Sequence, residues 1–300
     1  MRRLLTLLLF TTLFFQGLLM ATQTQMQTMT IDKQDIPFIH EESKLLPIVS
    51  LQLIFSGHGS IADGKKAGLA KITSAMLNEG TKELGATAFA KLLDAKAIEV
   101  YSSNGRETFV LNVDCLKSEF ELAMHYLAML LNSPNFTQET LDKVKTKMIG
   151  ALKQKEGDFD YLASVSLMST LFKNTPIASP NSGTPESIAS INLDDVKAFL
   201  QASLSLANCM VVIGGDITLK SAEQLTRKIL MTLPVGSKAE SPYFYANNKQ
   251  EEITQHKPSE QAYIYFGAPI NATISDEDSY KAKVAAFILG SRGFGSRLME

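Results

Sequence analysis

Four histidines and two cysteines are the side chains of this 300-residue sequence best suited to hold a metal ion. Helical zinc boxes use two imidazoles one turn apart, and no two of these histidines have that spacing. His40-Glu41-Glu42 offers three adjacent ligands, but neighbours on a strand point to opposite faces and do not converge. Two cysteines are too few for a four-thiolate site. The candidate ligands are His40, His58, His125, His256, Cys115 and Cys209.

Other catalytic and nucleic-acid motifs are missing from the sequence. No Gly-x-Ser-x-Gly elbow positions a serine nucleophile, and the glycine-rich stretch 290–295 follows a predicted helix, whereas a dinucleotide loop follows a strand. The chain has 29 basic and 31 acidic residues, with a net charge of −2. Nucleic-acid binders concentrate Lys and Arg on one face, so this balance argues against nucleic acid as a partner.

Residues 1–21 have the pattern of a secretory signal peptide. Arg2 and Arg3 precede an apolar run that extends to Met20. The run is slightly long for a signal and slightly short for a spanning helix, so an uncleaved N-terminal anchor is the alternative. We therefore expect an exported protein, periplasmic or extracytoplasmic, which contacts the membrane only if this segment is retained.

Export also leaves two interpretations open for the cysteines. An oxidising compartment would permit a disulfide between Cys115 and Cys209. The alternative is a pair of buried free thiols, which is where unpaired cysteine usually lies.

The chain after the N-terminal segment predicts an α+β fold. It alternates apolar strands with amphipathic helices, and Asn104-Gly105 joins two strands as an antiparallel hairpin. Thr137 is a predicted helix N-cap, and Gly183-Thr184-Pro185 predicts another helix start. A strand at 261–266 and a helix at 278–289 repeat the opening strand–loop–helix order, which suggests a second, homologous domain.

These patterns divide the sequence into tandem homologous α/β domains, each a mostly antiparallel sheet covered by helices. The second domain is incomplete within the sequence. The predicted segments are a signal peptide at 1–21, a polar linker at 22–35, a first domain at 36–233, a linker at 234–258 and the truncated start of a second domain at 259–300.

A lysine-rich surface marks the helix that begins after Thr137. Its core face is apolar, and the lysines occupy much of the rest of the surface. One interpretation is a surface for anions or an acidic partner, and the other is an ordinary solvated helix face. The lysines are Lys143, Lys145, Lys147, Lys153 and Lys155.

The segment 63–81 resembles the zinc-box region of the insulinase/pitrilysin family, which includes the mitochondrial processing peptidase subunits. Active members read Gly-Leu-Ala-His-x-x-Glu-His-Met-Leu-x-x-Gly-Thr. The frame is kept at Gly68, Leu69, Ala70, Met76, Leu77, Gly80 and Thr81, and further resemblance lies at 183–188, 211–216 and 293–300. In all, the resemblance covers about residues 36–300.

The working positions of that motif are changed. Lys71 and Ala75 stand where the family has its two zinc-binding histidines, and Ser74 stands where it has the glutamate that activates water. The distal carboxylate belongs on the next long helix, where 148–152 contains none. Zinc needs its ligands and the water needs a base, so we predict that this chain binds no zinc and carries no catalytic residue.

The resemblance implies a role for such a chain. Family members often work as pairs, in which one partner carries the zinc box and the other lends substrate-binding surface and closes the chamber. We expect a catalytically inactive subunit that pairs with a zinc-box-bearing relative and binds a peptide or unfolded polypeptide. The alternatives are an active zinc peptidase with substitute ligands from His40, His58 or acidic residues, and a peptide-binding module without a proteolytic partner.

The glycine-rich segment 293–300 resembles a substrate-binding segment of the family's second domain. The resemblance therefore assigns substrate contacts to Gly293, Gly295, Ser296 and Arg297, and places a substrate-holding arginine and tyrosine beyond Glu300.

Overall fold

A computed structural model of the chain describes residues 25–240, 242–270, 273, 275–291 and 293–298. The predicted signal peptide, residues 1–21, lies outside these residues. The described chain contains a six-stranded sheet in the order β1-β2-β6-β3-β5-β4. Its strands are β1 (Gln25–Ile31), β2 (Gln34–Glu42), β3 (Ile48–Ser56), β4 (Glu99–Asn104), β5 (Thr108–Leu116) and β6 (Cys209–Gly215).

Helices cover one face of this sheet. Those that pack against it or against each other are α1 (Leu69–Leu77), α2 (Gly85–Asp94), α3 (Phe120–Asn132), α4 (Gln138–Lys155), α5 (Phe159–Leu171), α6 (Pro185–Ser190), α7 (Leu193–Ser203) and α8 (Leu219–Leu230). A further helix, α9 (Ser279–Ala286), lies near the end of the described chain and continues into a π-helical turn, Phe287–Ser291. The predicted mixed fold is confirmed.

The sheet is mostly antiparallel, as predicted, and β2 and β6 are its parallel pair. Alternation along β3 buries Val49, Leu51, Leu53 and Phe55 against the helices. The opposite face carries polar side chains, where Ser50 donates a hydrogen bond to Asp114. Period-two burial of this kind is typical of a sheet with one packed and one open face.

Residues 25–35 are not a linker, contrary to the sequence-based prediction. They form β1 and the start of β2, joined by a two-residue turn in which Asp32 and Lys33 have positive φ angles of 47° and 64°. The segment is rich in Gln and Thr, which suggested a linker, but Met29 and Ile31 alternate with these residues and are buried. This hairpin turn matches the right-handed twist of the strands.

Several local predictions are confirmed. Asn104-Gly105 turns the chain between the antiparallel strands β4 and β5. The Thr137 hydroxyl accepts a hydrogen bond from the Thr140 amide at the start of α4, at 3.2 Å. Thr184 caps α6 with Pro185 in its first turn, and the Thr184 amide donates a hydrogen bond to the Ser187 hydroxyl.

The buried hydrophobic core ends at Leu230. Among the described residues of 234–278 there is no helix or strand, so the predicted strand at 261–266 is wrong. Ile264 and Phe266 are exposed there. A strand forms only beside a partner that accepts its backbone hydrogen bonds, and the described residues place no strand beside this segment.

The two cysteines cannot form a disulfide in this fold. Cys115 lies opposite Val49 and Cys209 lies opposite Phe55, six residues further along β3. That offset is about 20 Å at the strand rise of ~3.3 Å per residue, whereas a disulfide needs Cα atoms within about 7 Å. Both thiols are buried and free, and burial raises each pKa to about 12.

No helix in the described part of the chain is long and apolar enough to cross a bilayer.

Candidate functional site

The three changed zinc-box positions lie on α1, as the sequence predicts. Lys71 is exposed, and Ala75, one turn further on, is partly buried against the core. Ser74 is buried beneath the sheet, where its hydroxyl lies 3.1 Å from the Ser102 hydroxyl of β4 and its carbonyl accepts a second hydrogen bond. Ser74 is therefore a packing residue in this fold.

Zinc does not fit the donors at this position. An ammonium at Lys71 repels a dication, and the methyl group of Ala75 has no lone pair to donate. At the position on α4 where the resemblance places the distal carboxylate, Met148 and Ile149 pack against the core and are followed by Gly150. No side chain of this set supplies the two imidazoles and the carboxylate that the family's metal requires.

The histidines offered as substitute ligands lie elsewhere. His40 is buried on β2, and its Nε2 donates a hydrogen bond to the Ile217 carbonyl at 2.9 Å. His58 lies in the loop after β3, near the side chain of Asn208, and burial lowers its pKa. Within the described ranges, no three His, Cys, Asp or Glu side chains are grouped closely enough to hold a metal ion.

The retained frame of the zinc box has a structural role. Gly68 has a φ angle of +92°, and a Cβ there would lie 2.6 Å from Ile188 and 3.1 Å from the Gly183 backbone. Gly183 lies on the other side of this contact and has a φ of +70°. A Cβ there would lie 2.3 Å from the Ala67 carbonyl oxygen. Ser187 donates a hydrogen bond to that carbonyl at 2.7 Å. The two segments that resemble the family, 63–81 and 183–188, are therefore packed against each other.

A buried aspartate begins this frame. The Asp63 carboxylate accepts hydrogen bonds of 2.7 Å from the amides of Gly68 and Ala70 at the start of α1. These amides are among the donors that a helix leaves without internal partners. Burial raises the pKa of Asp63 from 3.8 to about 6, and the backbone hydrogen bonds oppose that rise.

The raised pKa of Asp63 predicts a pH dependence of stability. Between pH 4 and pH 6 the folded chain retains a proton that the unfolded chain releases, so the free energy of unfolding falls as pH rises through this window. The loss is at most ~3 kcal/mol, from ~1.4 kcal/mol per pKa unit. Urea titrations should show a shallower profile over pH 4–7 for Asp63→Asn, and identical profiles for the two proteins would contradict the assignment.

Lys71 opens onto a cleft of about 410 Å³. The cleft lies between α1, the β4–β5 turn, the end of α4, one face of α5 and the loop before α6. Its lining residues include three cations and no carboxylate: Lys71, Asn104, Arg106, Lys155, Tyr161, Ser164, Val165, Met168, Ala178, Ser179, Pro180, Asn181 and Ser182. We call it the basic cleft.

The walls of the basic cleft are tied together by hydrogen bonds. The amide of Ser60 donates to the Gly105 carbonyl at 3.1 Å, and the amide of Ile61 donates to the Arg106 carbonyl at 2.9 Å. The Ser60 hydroxyl donates to the Asn181 side chain at 2.6 Å. The loop after β3 therefore joins the β4–β5 turn to the loop before α6.

The glycine-rich segment lies after α9. Gly293 and Gly295 have positive φ angles of 71° and 89°, and the Ser296 hydroxyl donates to the Gly293 carbonyl at 2.7 Å. The Arg297 amide donates back to Ile288 at 3.1 Å. These contacts fold the segment onto the preceding turn, and its assignment to substrate binding stays a prediction.

Three residues of the site were not singled out from the sequence. Asn104 was recognised for its turn, Lys155 only as one of five surface lysines, and Arg106 not at all. The helix-capping role of Asp63 was also missed, although an aspartate shortly before a predicted helix is a usable signal.

Two models of one family match the sequence. Residues 40–185 match the insulinase (peptidase family M16) model, and residues 190–300 match the peptidase M16 inactive domain. Together they account for most of the chain, which belongs to the insulinase (peptidase M16) family and has a degenerate zinc box. The boundary between the two models falls at α6, inside the single core of the fold.

Individual relatives agree with this assignment. The chain is 44% identical to the non-peptidase homolog YmxG of Helicobacter pylori over 95% of its own length and 65% of the relative's. It is 22% identical to an uncharacterized zinc protease of Rickettsia bellii, over 91% and 64%. The crystal structure of a peptidase M16 inactive domain from Pseudomonas fluorescens superposes with a TM-score of 0.75 at 26% identity, over 92% and 66%. The chain thus spans about two thirds of the length of these relatives.

Proposed function

We propose that the chain is an exported, catalytically inactive partner subunit of a heterodimeric insulinase-family zinc peptidase. In this role it contributes peptide-binding surface and helps to close the chamber around the substrate. Zinc is expected in the partner, a relative with an intact zinc box. Export rests on the signal-peptide pattern of residues 1–21.

One observation carries the proposal. The ligand and base positions are changed together at Lys71, Ser74 and Ala75, while the glycines that fit α1 to the 183–188 turn are kept. The local fold around the zinc-box positions is thus present without its chemistry, as expected of a subunit that supplies surface but no catalysis. The name of the Helicobacter pylori relative, a non-peptidase homolog, supports the same reading.

Metal analysis and peptide cleavage test the proposal. The full-length protein alone is expected to hold no stoichiometric zinc and to leave an unstructured peptide intact. Mixed with a family relative that has an intact zinc box, it should form a stoichiometric complex that cleaves the peptide faster than the relative alone.

Two outcomes would contradict it. One tightly held zinc per chain, with chelator-sensitive cleavage that is lost in His58→Ala, would support an active peptidase with substitute ligands. Peptide binding without any complex or change in the relative's activity would support a binding module.

A further inference from the structure

We propose that the basic cleft binds the carboxylates of an acidic peptide segment. This inference rests on the proposed peptide-binding function and names the class of peptide. Arg106 would hold one carboxylate, and Lys71 and Lys155 would provide the positive charge around it. The three come from α1, the β4–β5 turn and the end of α4, so the cleft collects charge from well-separated parts of the chain.

Within the described chain, no ion pair includes Lys71, Arg106 or Lys155, the three cations of the basic cleft. Glu107 and Glu156, which follow two of these cations in the sequence, do not line the cleft. Of the carboxylates on the flanking elements, Asp63 caps α1, Asp158 caps α5, and Asp160 accepts from the Tyr265 hydroxyl. Like charges that line one concavity raise the local concentration of an opposite charge.

Two of the cations are held in place. The Arg106 Nη1 donates to the Ile177 carbonyl at 3.2 Å, which leaves its other N–H groups for a carboxylate. The guanidinium matches a carboxylate with two parallel hydrogen bonds. The Lys155 ammonium lies 4.7 Å from the centre of the Tyr161 ring, a cation–π contact. Positioned charges lose less conformational entropy on binding than free ones.

The wall of the cleft also carries unused hydrogen-bonding capacity. Both polar atoms of the Asn104 side chain are buried, and neither has a hydrogen-bond partner in the described chain. A buried amide without partners is costly, and a peptide group offers the donor and acceptor that it lacks. The cleft volume of about 410 Å³ falls in the range of sites that enclose small ligands. Charge and amide together favour a peptide carboxylate over a bare anion.

Fluorescence anisotropy with a matched set of labelled peptides tests the inference on the full-length protein. One peptide carries an internal run of Glu with an amidated C-terminus, and a second has Gln in place of Glu. We expect the Glu peptide to bind at least tenfold more tightly at low salt, and added salt to reduce the difference. Lys71→Glu should weaken Glu-peptide binding about tenfold, whereas Lys147→Glu, the same charge change on an exposed position of α4, should not.

A second variant and two control ligands distinguish side-chain carboxylates from a C-terminal carboxylate or phosphate. Lys155→Gln provides a second variant with a smaller expected loss, about threefold, if Lys71→Glu does not fold. A Gln peptide with a free C-terminus that matches the Glu peptide would overturn the acidic-segment assignment. So would displacement of the Glu peptide by inorganic phosphate but not by succinate at equal ionic strength.

The outcomes for the two proposals are distinguishable. Equal binding of the Glu and Gln peptides, or equal effects of Lys71→Glu and Lys147→Glu, would overturn the basic-cleft inference and leave the partner role untouched. Zinc content and cleavage by the chain alone bear only on the partner role.

Discussion

Replacing Gly183 with alanine is expected to destabilise the protein by about 3 kcal/mol. The residue has a φ of +70°, where a Cβ is disfavoured by ~1–2 kcal/mol. The added atom would also lie 2.3 Å from the Ala67 carbonyl oxygen and 2.8 Å from the Ser187 hydroxyl. The clashing Ala67 oxygen belongs to the backbone just before α1. The clash can therefore be relieved only by moving that helix or the 183–188 turn.

Gly64→Ala is the matched control for this substitution. Gly64 has a similar φ of +59°, but no atom lies within 4 Å of the position that its Cβ would take. It should therefore lose only the conformational cost of ~1–2 kcal/mol. Urea unfolding of both variants measures the difference, and equal losses would show that the contact between the two family segments does not contribute.

The second large effect is a gain of zinc binding in Lys71→His/Ala75→His. The two positions are one helical turn apart on α1, and Lys71 is exposed while Ala75 is only partly buried. Two imidazoles at this spacing form half of a zinc site. Zinc at about 100 times the dissociation constant should raise the free energy of unfolding by ~2.7 kcal/mol.

This gain should come without peptidase activity. Ser74 is buried against Ser102, so the double variant still has no base to activate a water. The single variants Lys71→His and Ala75→His are the controls, and zinc should stabilise each of them little. The double variant without zinc measures the packing cost of placing a histidine at position 75. Equal stabilisation of the unchanged protein by zinc would contradict the degenerate box.

Sequence patterns predicted local structure well where a side chain acts on its own backbone. Asn104-Gly105 forms its hairpin, Thr137 caps α4, and Pro185 begins α6, because turn and cap preferences depend on residues within one turn of each other. The β1 hairpin was missed because its exposed positions are Gln and Thr, and composition outweighed an alternation that buries Met29 and Ile31.

The predicted strand at 261–266 shows the opposite error. Its apolar residues satisfy the strand pattern, but pairing needs a neighbouring backbone, which no local pattern supplies. The separation of Cys115 and Cys209 also depends on strand pairing, which the local sequence does not set. Their registers on β3 place them about 20 Å apart, at ~3.3 Å per residue, and a register is set by the whole sheet.

The sequence by itself determined which chemistry is missing. Donor atoms are a property of residue types, and Lys71, Ser74 and Ala75 lack the lone pairs or basicity of the zinc box in any conformation. Only the tertiary structure decided what replaces that chemistry. Lys71, Arg106 and Lys155 are distant in sequence, and their shared cleft exists because α1, the β4–β5 turn and α4 pack around one core. Side-chain charge is local, but the field that several charges make together depends on the fold.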